Sequence, residues 1–217
     1  MSWKIDCVVV GPIQCNCYIL SDPTSGDAWL IDPGAESDEL LQYLMQKKMR
    51  LKGMLVTHAH IDHVGGIEMI ARDFPAPVYY HAGDTPLYSN LKMQAQFFGV
   101  TPQHLQATQP TRGDATLQHE QSFEFGQGEI RVIHTPGHTP GSVCFHAMSD
   151  LSALFTGDTL FLQSIGRTEL WGGSYEQILV SIHNQLMTLP ENLAVFPGHG
   201  EATTIGDEKR MNPFLQR

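Results

Sequence analysis

Seven histidine and aspartate side chains stand in turns that directly follow apolar runs of strand length. A chain that uses them together must bring several strand ends to one edge. The densest turn is Thr57-His58-Ala59-His60-Ile61-Asp62-His63, behind the run from Leu51 to Val56. Three others are Thr135-Pro136-Gly137-His138-Thr139, Phe155-Thr156-Gly157-Asp158-Thr159 and Phe196-Pro197-Gly198-His199-Gly200, each with a glycine immediately before its His or Asp. Glycine in that place suits a tight strand-end turn, because it adopts backbone conformations that other residues resist. Imidazole and carboxylate are the usual ligands of zinc and related first-row metals, and a catalytic site keeps one coordination position open for water. The first expectation is therefore a hydrolytic metal centre built from loops.

The pattern between these turns alternates strand and helix. Lys4 to Val10, Asn16 to Leu20 and Ala28 to Ile31 read as strands, with Pro23 to Asp27 as a hairpin connection. Leu40, Leu41, Leu44 and Met45 recur at helical spacing within Glu36 to Met49, and Ser37 is a fitting N-cap. A helix is expected from about Gly66 to Asp73, a strand from Val78 to Tyr80, and two strands between Ser122 and His134 around the turn Phe125-Gly126-Gln127-Gly128. Ser142 to His146 and Leu151 to Phe155 form a second hairpin, followed by a helix over Tyr175 to Leu189, a last strand over Leu193 to Phe196 and a short tail. Gly83 to Gly113, rich in Pro, Gln and polar residues, reads as short helices and loop that could wall a pocket. Two halves of this kind are expected to give two sheets packed face to face, with helices on the outer faces and the histidine-bearing loops along one edge.

Composition removes several classes. The net charge of −10, with only 13 Lys plus Arg, argues against a surface that tracks nucleic-acid phosphates. No apolar run approaches the length needed to span a bilayer, and no secretory signal is readable at the N-terminus, so a cytoplasmic protein is expected. The four cysteines, Cys7, Cys15, Cys17 and Cys144, read as reduced, with Cys15 and Cys17 on one face of a strand as small buried side chains. A single domain over residues 1–217 is expected.

The series His58-x-His60-x-Asp62-His63, with His138, Asp158 and His199, resembles the metallo-β-lactamase superfamily, whose fold is an αββα sandwich. Gly157-Asp158-Thr159-Leu160-Phe161 and Ile165-Gly166-Arg167-Thr168 are most similar to the type II glyoxalases, in their short single-domain bacterial form of the GloC or YcbL type. The resemblance implies that His58, His60 and His138 hold one divalent ion, that Asp62, His63 and His199 hold a second, and that Asp158 bridges the two. Zinc is the first choice, with iron and manganese open to the same donors. It further implies hydrolysis of S-D-lactoylglutathione to D-lactate and glutathione by a metal-bridging hydroxide, with Asp62 or Asp158 steering the proton. A thiolate leaves more readily than an amide nitrogen, and the superfamily's common β-lactamases tend to carry Cys where this chain has Asp158, which favours thioester over β-lactam cleavage.

Arg167 matches a basic residue near the glutathione pocket of those enzymes and is the substrate-binding candidate. Lys209 and Arg210 are weaker ones. Only eighteen residues follow His199, so the helical C-terminal domain of the longer glyoxalases is not expected. Asp32, in Ile31-Asp32-Pro33-Gly34, reads either as a turn residue or as a group that orients a ligand, and His134 reads as a surface or core residue that could also neighbour His138. His81, His104, His119, His146 and His183 read as surface or core residues. The main rival function is a persulfide dioxygenase with mononuclear iron on His58, His138 and Asp158; a lactonase or another hydrolase of the same fold is a further alternative.

Overall fold

The computed structural model describes residues 3–100 and 115–216, and the chain forms two compact units. The first runs to Tyr80 and resumes at Thr85; the second takes His81–Asp84 and the chain from Leu117 onward. The expected α/β class is present, with a mixed six-stranded sheet as the main element of each.

In the first unit, β1 (Lys4–Val10), β2 (Cys15–Ser21) and β3 (Asp27–Ile31) form an antiparallel meander. After helix α1 (Asp38–Gln46), β4 (Arg50–Leu55) returns parallel to β3, and β5 (Val78–His81) parallel to β4. β6 (Ala115–Leu117) completes the order β1-β2-β3-β4-β5-β6. The parallel step after β3 explains why helices appear here, since a parallel partner needs a crossover whereas an antiparallel one needs only a turn. Ser37 caps α1 as its sequence suggests, accepting the Leu40 N–H at 3.2 Å, and Leu40 and Leu44 are buried. Every residue of β2 is buried, and Cys15 and Cys17 are free thiols at 0% exposure, as expected for packing groups. Burial, above all, pushes the Cys15 thiol up to about 12. α2 (Ile61–Val64) and α3 (Ile67–Asp73) follow β4, then α4 (Thr85–Tyr88) and α5 (Leu91–Phe98) follow β5. The pocket-wall segment anticipated over Gly83 to Gly113 is thus helical as far as Phe98, and 101–114 lie outside the described residues.

The second unit has a six-stranded sheet of its own. β7 (Ser122–Phe125), β8 (Gly128–His134), β9 (Val143–Met148) and β10 (Ala153–Gly157) run antiparallel as the two expected hairpins and their link. A separate hairpin, β11 (Leu160–Phe161) and β12 (Ser164–Ile165), leads to helix α6 (Tyr175–Ser181), which continues as one π-helical turn through Leu186. β13 (Ala194–Pro197) then pairs parallel with β10, and its end carries His199. Ile178, Ile182 and Leu186 pack in one cluster with Leu154, Val195 and Ile205.

The tail departs from expectation, because β13 is not the last strand and the residues behind it are structured. β14 (Thr203–Thr204) pairs with β13, and α7 (Ile205–Met211) follows, capped by the Thr204 hydroxyl at the Asp207 N–H, 3.1 Å. Glu208 on α7 is fully buried. Its carboxylate accepts the Thr203 hydroxyl at 2.7 Å, the Asn212 amide at 2.7 Å and the Gln163 N–H of the β11–β12 turn at 2.9 Å. Glu208→Ala removes the acceptor these three donors share, two of them on the buried residues Thr203 and Asn212, and is expected to cost about 3 kcal/mol. At this chain length that lowers the melting temperature by roughly 6–12 °C in a calorimetric scan. A shift under about 2 °C would contradict the carboxylate's role as a clamp.

Candidate metal centre

The loop after β4 and the short helix α2 turn three imidazoles toward one another, His58 and His60 from the loop and His63 from the helix. The His58 ring centroid lies 4.8 Å from that of His60 and 4.0 Å from that of His63, and the three residues are 0–3% exposed. Asp32 sets two of them. Its backbone is left-handed at φ 52°, a conformation that Asp tolerates, and its carboxylate is buried directly behind the loop. It accepts the Thr57 N–H at 2.7 Å, the Thr57 hydroxyl at 2.6 Å and the His63 Nδ1–H at 2.9 Å. With its proton committed to Asp32, the Thr57 oxygen accepts from His58 Nδ1 at 3.1 Å. One carboxylate therefore fixes both tautomers, leaving the Nε2 lone pairs of His58 and His63 unprotonated. Of the two readings of Asp32, the structure supports ligand orientation.

Two further anchors hold this loop, and sequence reasoning missed the first. Gln94 of α5, at 0% exposure, accepts the Ile61 N–H at 3.0 Å and donates to the carbonyls of Ala59 and Leu87 at 3.0 and 2.9 Å. The second is Gly34, where a Cβ would collide with the Asp62 carbonyl, so only glycine lets the two backbones approach.

In the second unit His138, Asp158 and His199 come together at the ends of β8, β10 and β13. His138 is 1% exposed, and its Nδ1–H donates to the Arg167 carbonyl at 2.7 Å, which leaves Nε2 with its lone pair. That Nε2 lies 3.6 Å from Asp158 Oδ2, and His199 Nε2 lies 3.7 Å from Asp158 Oδ1. Asp158 thus turns one oxygen to each imidazole. His63 Nε2 stands at the same 3.6 Å from Asp62 Oδ2.

These separations test whether the residues fit a metal. At 3.6–3.7 Å they are too long for hydrogen bonds. They match two donors that share one ion, since ligands each ~2.1 Å from a tetrahedral centre stand roughly 3.4 Å apart. Imidazoles facing carboxylates across such gaps fit a first-row metal ion shared between them. Of the three glycines before these ligands, Gly137 and Gly157 take positive φ, 141° and 49°, while Gly198 does not.

The Metallo-beta-lactamase superfamily model matches residues 10–199. The chain belongs to this superfamily. A Haemophilus influenzae relative named hydroxyacylglutathione hydrolase GloC is 36% identical over 213 residues, covering 98% of each chain. Among solved structures, the BLEG-1 B3 metallo-beta-lactamase is 37% identical, with a TM-score of 0.89 over 99% of this chain and all of its own. TTHA1623, solved in a di-iron-bound form, is 34% identical, with a TM-score of 0.85 over 97% of this chain and all of its own.

Within this superfamily chain the other candidates sort plainly. Arg167 is exposed, and it is its backbone carbonyl that meets His138. Arg210 is engaged with Glu191 at 3.1 Å and Asp207 at 3.0 Å, and Lys209 stands 3.9 Å from Glu191, so both lie in surface ion pairs rather than beside the ligands. His134 stacks on His81 with centroids 4.0 Å apart, and its Nε2 donates to the Pro140 carbonyl at 3.0 Å. Burial, and then His134, lower His81 to about 4, which keeps the His81 ring uncharged at neutral pH.

The turn after His81 carries a second residue that sequence reasoning missed. Asp84, 1% exposed, accepts the Gly141 N–H at 2.6 Å and the Thr139 hydroxyl at 2.8 Å, bracing the loop just behind His138. On its other side, a Cβ at Gly166 would collide with the Asp158 carbonyl, so glycine holds the Arg167 carbonyl in reach of His138. His119, His146 and His183 are surface or part-buried, as read from sequence, and His104 lies outside the described residues.

Proposed function

We propose that the two ligand sets serve one dinuclear centre that hydrolyses glutathione thioesters, with S-D-lactoylglutathione giving D-lactate and glutathione. His58, His60 and His138 would hold one ion, Asp62, His63 and His199 the other, and Asp158 both. The observation that carries the reading is the split carboxylate of Asp158, one oxygen toward His138 and the other toward His199, which is what a bridging ligand requires. Similarity across nearly its whole length to a relative named hydroxyacylglutathione hydrolase supports the substrate class.

Bound divalent ions supply hydroxide near neutral pH and polarise the carbonyl. The protein's residues do the rest. Asp32 and the Arg167 carbonyl keep His63 and His138 in the donor tautomer, and Thr57 does so for His58. Asp62 and Asp158 offset part of the positive charge and offer oxygens for the proton released when water adds to the carbonyl carbon. The C–S bond then breaks, its electron pair leaves with sulfur, and the products are a carboxylic acid and a thiol. Thiolate departure needs little acid assistance, since a free thiol has a pKa of about 8.5.

The test is metal analysis of the purified protein beside turnover of S-D-lactoylglutathione, followed by thiol release. About two ions per chain, and thiol formed in step with thioester loss, are expected. A single iron with oxygen uptake on glutathione persulfide would replace this reading with the dioxygenase. Faster cleavage of a β-lactam than of the thioester would replace it with the activity that the BLEG-1 neighbour is named for.

A further inference from the structure

The first unit contains a cavity of about 130 Å³ that opens beside Asp62. Its walls are Val10 at the end of β1, Pro12 and Ile13 from the β1–β2 turn, Ile61 from α2, and Val100 just beyond α5. The metal-ligand sets do not account for this apolar lining, nor does any part of the hydrolytic chemistry. Resting on the thioesterase reading above, we propose that this cavity receives the acyl group of the substrate, and that the enzyme prefers linear aliphatic acyl thioesters of about four to six carbons.

Three observations point to that occupant. The first is size: an apolar cavity of about 150 Å³ holds a benzene ring, so this one has room for a short alkyl chain and not for the tripeptide. Charge is the second. The acids Glu36 and Asp62 stand at the cavity and, among the described residues, none that lines it is Lys or Arg, so this lining repels the two carboxylates of glutathione and accepts a neutral group. The third is position. Asp62 both borders the cavity and is a candidate ligand, so a carbonyl held at the ions can send its carbon chain past Asp62 while sulfur points elsewhere. A three-carbon hydroxyacyl group leaves most of that apolar surface uncovered.

The experiment measures kcat/KM for S-acetyl-, S-butanoyl- and S-hexanoylglutathione with the metal-loaded enzyme. Alongside it, calorimetry measures binding of the unreactive thioethers S-methyl- and S-hexylglutathione to metal-free protein. Each buried methylene adds about four-fold to transfer, so both series should rise by at least ten-fold from the shortest chain to the longest. Ile13 is half-buried on a turn, and Ile13→Trp should fill the cavity and bring the hexanoyl-to-acetyl ratio close to one, while Ile13→Ala retains the preference; melting curves report whether each variant folds. Thioester turnover with flat chain-length series would overturn the acyl pocket and leave the thioesterase standing. Absence of turnover on every thioester would overturn both.

Discussion

Asp158→Ala is expected to leave the protein with at most one weakly held ion and to lower thioester kcat/KM by at least about 10³-fold, equivalent to losing roughly 4 kcal/mol of transition-state stabilisation. The size follows from geometry. Asp158 sends separate oxygens to His138 and His199, so its removal takes a donor from both ions of the proposed centre, whereas loss of one imidazole takes a donor from one. Asp158→Asn is the sharper control, because an amide keeps the shape but offers one oxygen and no charge. It should keep one ion and lose the second. Metal content by atomic spectroscopy and steady-state kinetics check both variants. Asp158→Ala holding two ions at the wild-type rate would remove the bridging role, and with it the strongest support for a dinuclear hydrolase.

The candidate ligands were legible because the chemistry of a metal site is written in residue type: His58, His60, Asp62 and His63 in one turn, and Gly-His or Gly-Asp after three other apolar runs. The strands were legible for the same local reason, since alternation and turn residues are properties of neighbours. What supports the ligands was not. Gln94 sits in a segment without clear period and reaches back to Ala59 and Ile61, while Asp84 reaches forward to Thr139 and Gly141. Such hydrogen bonds join elements far apart in the chain, and a lone Gln or Asp carries no mark of them. The Arg167 carbonyl that fixes His138 is a backbone group, which no residue pattern can single out. The tail is a different case: Thr204-Ile205-Gly206-Asp207-Glu208 does carry a helix start, with a capping Thr and acids in the first turn, so α7 could have been read.

Asp32 gives the second large effect and separates a folding role from a ligand-orienting one. Asp32→Ala leaves the Thr57 N–H, the Thr57 hydroxyl and His63 Nδ1–H without their common acceptor in a site that is 1% exposed. The cost is about 2–4 kcal/mol. Asp32→Asn fills the same space yet cannot satisfy the same donors. With its amide group at the Oδ2 position, it faces His63 Nδ1 and the Thr57 hydroxyl. His63 must then accept at Nδ1 and carry its proton on Nε2, and the Thr57 hydroxyl, turned to donate to His58, reverses that ring as well. With the amide group at the Oδ1 position, it meets the Thr57 N–H donor to donor. In the first orientation two imidazoles that pointed lone pairs outward now point protons. Metal affinity should therefore fall by 10–100-fold or more in Asp32→Asn, while its melting temperature stays closer to wild type than that of Asp32→Ala. Competitive chelator titration measures the first quantity and calorimetry the second. If Asp32→Asn binds metal as tightly as wild type, Asp32 is a turn residue only; if its affinity falls in a folded protein, the carboxylate acts on the metal through the tautomers of His58 and His63.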